Sequence, residues 1–324
     1  MRTLALLFLV SFTACMNKPA GPLAFVTNER DGTITVIDTN TDRVTSTLKV
    51  GGRLRGIRLS PNRDRIWVAI SYPTNEAHGK DTIAEIDING NIIAKHDAGT
   101  DPENFAIDDR ATRLYIANED AGTASITDVK ANRVIATMPV GLEPEGAAMS
   151  PDGRWVYITS EASSTVTVID TQNGQVVKTF LVGARPREVA FSSDSARAYV
   201  TAENGNVISV VDTKDHSVIK TISLPPGDVS SQSKPKGVVV SADGKRVYVA
   251  TGRGNSVAVI DGEQLSLITL IPVGKRPWGI ALSPDGRKIY TANGLSNDVS
   301  VIETSTNQVI ATLKAGDGPW GIAL

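Results

Sequence analysis

Charged and aromatic side chains recur on either side of a position that is often proline: Arg53 and Arg55, Asp101 and Glu103, Glu143 and Glu145, Arg185 and Arg187, Lys234 and Lys236, Arg276 and Trp278, Gly318 and Trp320. Their signs are grouped. Two consecutive pairs are acidic, the pairs that follow bring Arg185, Arg187, Lys234, Lys236 and Arg276, and the last two bring tryptophans. Glu29, Glu119, Glu161 and Glu203 recur at a second position of the same pattern. Guanidinium and ammonium groups bind carboxylate or phosphate, and tryptophan offers a flat apolar surface. The candidate ligand contacts are therefore Arg55, Glu103, Glu145, Arg187, Lys236, Arg276, Trp278, Trp320, Glu119, Glu161 and Glu203. Glu119, Glu161 and Glu203 could instead hold Ca²⁺, a hard cation that takes oxygen ligands, as a lactonase- or lyase-like enzyme would need. The plainer reading is that these charges are solvated or neutralise one another, each exposed pair contributing about 0–1 kcal/mol, and that the tryptophans pack between repeats. For a ligand site, replacing Arg187 and Arg276 with Ala is expected to weaken anion binding while the melting temperature stays nearly fixed.

Other chemistry is scarce. The 3 histidines fall in a long loop (His78), an outer strand (His96) and a turn at the opposite end (His216), so they cannot meet around a metal. With 1 cysteine, neither an internal disulfide nor a Cys-x-x-Cys-His haem attachment can form, and no cofactor is expected. Gly51-Gly52 and Gly252-Arg-Gly254 precede no helix and read as turns rather than phosphate cradles. A net charge of −2 gives no global reason to expect a nucleic-acid partner.

The elements that must position these side chains are strands. Ile-Asp-Thr, or a close copy, closes an alternating apolar stretch seven times, at Asp38, Asp87, Asp128, Asp170, Asp212, Asp261 and Glu303. Near-equal periods of this length indicate one repeat architecture. Each period reads as four short strands, as in Arg185–Ser192, Arg197–Ala202, Val207–Asp212 and Ser217–Ile222. Ser-Pro-Asp-Gly and Ser-Ala-Asp-Gly supply turns between first and second strands, and the acid after the third strand bonds the backbone of its own turn. The expected fold is all-β: a seven-bladed β-propeller of four-stranded antiparallel blades. Residues 24–28 read as a second strand and residues 319–324 as a first strand. The C-terminal strand is thus expected to join the N-terminal strands and close the ring. Fourth-to-first and second-to-third loops then share one end. Both insertions, Ser71–Thr82 and Leu224–Lys234, lie in those loops, which marks that end as the binding face. Trp67 and Trp155 fall in second strands and read as packing.

Residues 1–14 have Arg2 as their only charge and an apolar run too short to span a bilayer, so they read as a signal peptide, with residues 15–22 a tether and residues 23–324 the propeller. Phe12-Thr13-Ala14-Cys15 resembles a bacterial lipobox, departing from it at Phe12. The resemblance implies cleavage before Cys15 and its lipidation, which would place a periplasmic protein on the membrane through that anchor alone. The alternative is a soluble periplasmic protein.

Phe25-Val-Thr-Asn28, Tyr115-Ile-Ala-Asn118, Tyr157-Ile-Thr-Ser160 and Tyr248-Val-Ala-Thr251, each followed by an Ile-Asp strand or a close copy, resemble YVTN-repeat propellers. Pro144-Glu-Gly146, Arg185-Pro-Arg187, Asn293–Ser300 and Pro319-Trp-Gly321 further resemble PQQ-dependent catabolism-associated β-propeller proteins. The similarity spans residues 24–324. It implies an exported protein that accompanies pyrroloquinoline-quinone alcohol oxidation, with a periplasmic quinoprotein dehydrogenase or cytochrome as partner, and it supplies no activity. The expected function is non-catalytic binding or scaffolding at the loop-rich face, of a small anionic ligand or that partner. A carboxylate- or metal-dependent lactonase- or lyase-like enzyme is the main alternative, and surface adhesion a third.

Overall fold

The computed structural model describes residues 22–72, 79–226 and 232–324. These form seven sheets of four antiparallel strands each, and among them the only helical element is a 3₁₀ turn at Gly252–Gly254. None of their helices is long and apolar enough to cross a membrane. The signal segment, Cys15 and the tether up to residue 21 lie outside the described residues, as does His78.

Six blades are built from consecutive strands, and the seventh is composite. Pro319–Ala323 pairs with Leu23–Asn28, setting Val26 opposite Ile322 and Asn28 opposite Pro319. It also packs against the inner strands of both neighbouring blades, Arg53–Leu59 and Pro277–Leu282. The ring is closed.

The core lies between blades. Each of the seven blade-to-blade interfaces holds its own apolar cluster, such as Phe25, Ile34 and Val36 against Leu54, Ile66 and Val68. A middle strand is buried on both faces, whereas an outer strand such as Arg43–Lys49 is mostly exposed. The repeated motif has a job at each position. Thr27, Thr159 and Thr201 donate to the backbone carbonyls of Arg55, Arg187 and Lys236 in the next blade, stitching inner strands together. Asn28, Asn118 and Asn293 donate to hydroxyls on the third strand of their own blade, at Thr35, Ser125 and Ser300. Tyr157 and Tyr290 reach the next blade through hydrogen bonds to His216 and Asp42.

The turn acids act as expected. Asp38, Asp87, Asp128, Asp170, Asp212 and Asp261 each accept backbone N–H groups two or three residues on. In the first-to-second turns Ser150, Ser192, Ser241 and Ser283 donate to the acid two residues later. At the other end the residue before the inner strand is left-handed, with φ of 48° at Asp101, 52° at Glu143, 58° at Arg185 and 55° at Arg276. That kink turns its carbonyl toward the second-to-third loop of the same blade, where it accepts the N–H of Glu119, Glu161, Glu203 and Gly294 in turn. Fourth-to-first and second-to-third loops therefore meet at one end. The described parts of both insertions are there: Asp81 accepts the Asp101 N–H at 2.8 Å, and Lys234 Nζ donates to Asn204 at 2.7 Å.

Candidate functional site

The inner strands with their entry loops, and the second-to-third loops that carry Glu119, Glu161 and Glu203, bring all eleven candidate residues to the loop-rich end of the axis, where they form two ionic clusters and an aromatic corner. In the first cluster Arg55, 2% exposed, places Nη1 against Glu103, 3.3 Å from both Asp101 and Glu119, while its Nε lies 3.5 Å from Glu29. In the second, Arg187 meets Glu145 at 2.9 Å, Glu161, and Glu203 at 3.6 Å. Arg185 closes on Glu161 at 2.6 Å, and Lys236 on Glu145 at 3.2 Å. The aromatic corner stacks beside this. Lys236 Nζ sits 3.6 Å from the Trp320 ring centre, and the Arg276 guanidinium sits 4.0 Å from that of Trp278.

Two expectations need correction. Arg55, Glu103, Glu145, Glu161, Arg187, Lys236 and Trp320 are not groups of an open mouth, since every one is buried and the charged ones are ion-paired with one another. Arg276, Trp278, Glu119 and Glu203 remain half-buried. Arg187 cannot be replaced at little cost in stability, because its removal strands buried carboxylates. A Ca²⁺ site at Glu119, Glu161 and Glu203 does not assemble either: Glu161 and Glu203 belong to the Arg187 cluster and Glu119 to the Arg55 cluster. The three carboxylates that do converge are Asp101, Glu103 and Glu119, with oxygens within 4.8 Å of one another, and the Arg55 guanidinium reaches all three. The cation this trio would take is built into the chain.

The enclosure shifts several proton equilibria. Burial, with Glu145 and Asp101 nearby, raises the Glu119 carboxyl from 4.5 to about 7. Burial lowers the Lys236 ammonium from 10.5 to about 8, against the pull of Glu145. Burial also opposes the charge of Glu145, but Arg187 and Lys236 outweigh it and hold that carboxyl below its ordinary value. The folded state thus binds the Glu119 proton over a window, from about 4.5 to about 7, in which the unfolded state has lost it. Stability from this group is full below the window and is lost as pH rises through it. Glu119→Gln removes that loss. The difference in unfolding free energy between variant and wild type is expected to grow from about pH 5 to about pH 8 in urea titrations. His216, lowered by burial, contributes a slope of opposite sign that cancels in the difference, as does Lys236. A difference independent of pH would show that Glu119 titrates normally.

Below this closed end the axis is hollow. A cavity of about 1000 Å³ runs from Lys236 and Trp320 down to the first-to-second turns at Ser60-Pro61, Ser241-Ala242 and Ser283-Pro284. Polar residues that the repeat pattern had not singled out also line it, among them Arg58, Asn104 and Glu188 on inner strands and Arg63 and Arg246 toward the turns. A signal for two of them was present. Directly after the ring residue five repeats have glycine (Gly56, Gly146, Gly237, Gly279, Gly321), while two have Asn104 and Glu188. Glycine is favoured there because inner strands crowd at the axis; a Cβ on Gly279 would sit 2.5 Å from the Trp320 carbonyl.

Residues 176–315, less than half of the chain, match the model of the family described as lactonase, 7-bladed beta-propeller. None of the curated proteins matches. Among solved structures, hydrazine synthase of Kuenenia stuttgartiensis aligns with TM-score 0.75 and 22% identity over 89% of this chain and 94% of that one. A functionally unknown protein from Desulfotomaculum acetoxidans aligns with TM-score 0.79 and 18% identity over 94% and 98%. A putative 6-phosphogluconolactonase from Bacteroides uniformis aligns with TM-score 0.75 and 16% identity over 93% and 98%. At such identities the likeness is one of fold, and the chain is similar to lactonase-type seven-bladed propellers in architecture.

Proposed function

We propose that this chain is a non-catalytic propeller of the cell envelope, held at the membrane through Cys15, whose loop-rich face docks a protein partner. The observation that carries the reading is the placement of Arg55 among Asp101, Glu103 and Glu119: the acids a hydrolase would use for a metal or a proton relay are already neutralised. Among the described residues, Arg53, Arg185, Arg276 and Trp278 remain accessible at that end, a surface suited to recognition. The resemblance to PQQ-associated propellers makes a periplasmic quinoprotein dehydrogenase or its cytochrome the partner of choice. The mass of the protein recovered from membranes reports whether it begins at a lipidated Cys15.

The second reading is a lactonase-like enzyme. It draws on the family match over residues 176–315 and on Glu119, whose carboxyl at about 7 is suited to general acid–base work near neutrality. The two readings separate in one assay. Hydrolysis of 6-phosphogluconolactone and δ-gluconolactone, with and without added Ca²⁺, is expected to proceed at the protein-free rate. A saturable rate that Glu119→Gln abolishes would establish the enzyme instead.

A further inference from the structure

We propose that the axial cavity is a second binding site, opening at the face opposite the loop-rich end, and that it takes an organic oxyanion with an apolar body, recognised by Arg58. The site is independent of partner docking at the other end.

The argument starts from Arg58. Its side chain leaves the inner strand Arg53–Leu59 and crosses toward the blade that begins with Pro144, where Nη2 reaches the Ala147 carbonyl at 3.5 Å, while Nη1 donates to the Ile57 carbonyl at 2.9 Å. The nearest carboxylate is Glu188, at 3.9 Å and without a hydrogen bond. Glu188 is itself shared with Asn104, whose amide donates to it at 3.4 Å. The other guanidinium protons have no acceptor among the described residues, and the side chain, 32% exposed, lines the cavity. Every other deep arginine on this axis, Arg55 and Arg187, is surrounded by three or more carboxylates among the described residues. Arg58 is the exception. Burial pushes its guanidinium below the ordinary value, as expected of a cation whose surroundings compensate it poorly.

The walls set the rest of the ligand. Val189, Val238, Ile280 and Ile322 contribute apolar surface to the lining, and Arg63, Asp243, Asp285 and Arg246 contribute charged groups at the turns. A volume of about 1000 Å³ is ample for a small organic molecule, ligand pockets spanning roughly 300–1,000 Å³. A guanidinium binds a carboxylate, sulfonate or phosphate through paired N–H donors, and the apolar walls bury the body of the ligand. Glu188 competes only weakly with such an anion for Arg58, since it stands 3.9 Å away and Asn104 already occupies part of its acceptor capacity.

The test uses 1-anilinonaphthalene-8-sulfonate, whose fluorescence rises in apolar surroundings, displaced from the whole protein by decanoate or by decylamine. Saturable binding of one equivalent is expected, with displacement by decanoate and none by decylamine. Arg58→Gln is expected to weaken decanoate binding about tenfold or more, the loss of a charge-assisted pair. Glu188→Gln is expected to tighten it several-fold, a change that a damaged fold cannot produce. Arg110→Gln, which removes an exposed cation from a first-to-second turn outside the cavity lining, is expected to leave affinity unchanged. Unchanged affinity in Arg58→Gln, no gain in Glu188→Gln, or equal displacement by decylamine would each overturn the proposal.

Discussion

Deletion of Pro319–Leu324 is expected to abolish the single cooperative melting transition of the propeller, leaving a chain that aggregates or unfolds over a broad range in circular dichroism and size-exclusion measurements. These few residues complete a sheet and also close a ring. Their loss exposes the edge of Leu23–Asn28, which then offers unpaired N–H and C=O groups to any other strand. It uncovers Ile57 and Ala24, and removes Trp320 and Ile322 from burial at about 1.5–3 kcal/mol for a side chain of this class. Thr27 also loses the Gly321 N–H that donates to it at 2.9 Å, so that its own bond to the Arg55 carbonyl joins the next blade to a sheet that has lost its inner strand. A domain's net stability is about 5–15 kcal/mol, so the sum is comparable with the whole. A truncated protein melting cooperatively within a few degrees of the full chain would show that closure contributes little.

Arg187→Met is expected to cost about 3–5 kcal/mol, the typical effect of removing one partner from a buried ionic cluster. The reason is what it leaves behind. Glu145 and Glu161 are each nearly inaccessible, and without the guanidinium, among the described residues, Glu145 keeps only Lys236 and Glu161 only Arg185 as cationic partner. Methionine fills much of the volume, so the loss reports charge rather than a cavity. Arg187→Met combined with Glu161→Gln is expected to recover a substantial part of the loss, since the second change removes a stranded charge; a double-mutant cycle in urea measures the coupling. If Arg187→Met alone unfolds at the wild-type urea midpoint, the loop-rich end is hydrated and open, and a ligand site there regains its basis.

These expectations divide according to what one chain position can specify. Periodicity, turn chemistry and the placement of a first-type strand after the last full repeat were enough to specify seven blades and a composite closure, because each depends on local pattern and on strand order alone. The sign of every ring residue, and its height along the axis, were equally readable, since the position after proline is the same in each blade. What folding alone decided is the distance across the axis. Inner strands approach closely enough that a Cβ at Gly56, Gly146 or Gly279 would meet the neighbouring strand, so long side chains one residue earlier cannot avoid one another. Charges that looked like a receptive mouth became a self-neutralised plug, and Lys236 and Trp320 became its underside. The same narrowness left room only below, where Asn104 and Glu188 replace glycine and Arg58 stands without a close carboxylate. A repeat pattern records which residue each blade contributes; how those contributions combine is set by the radius of the ring, a property that belongs to all seven blades together.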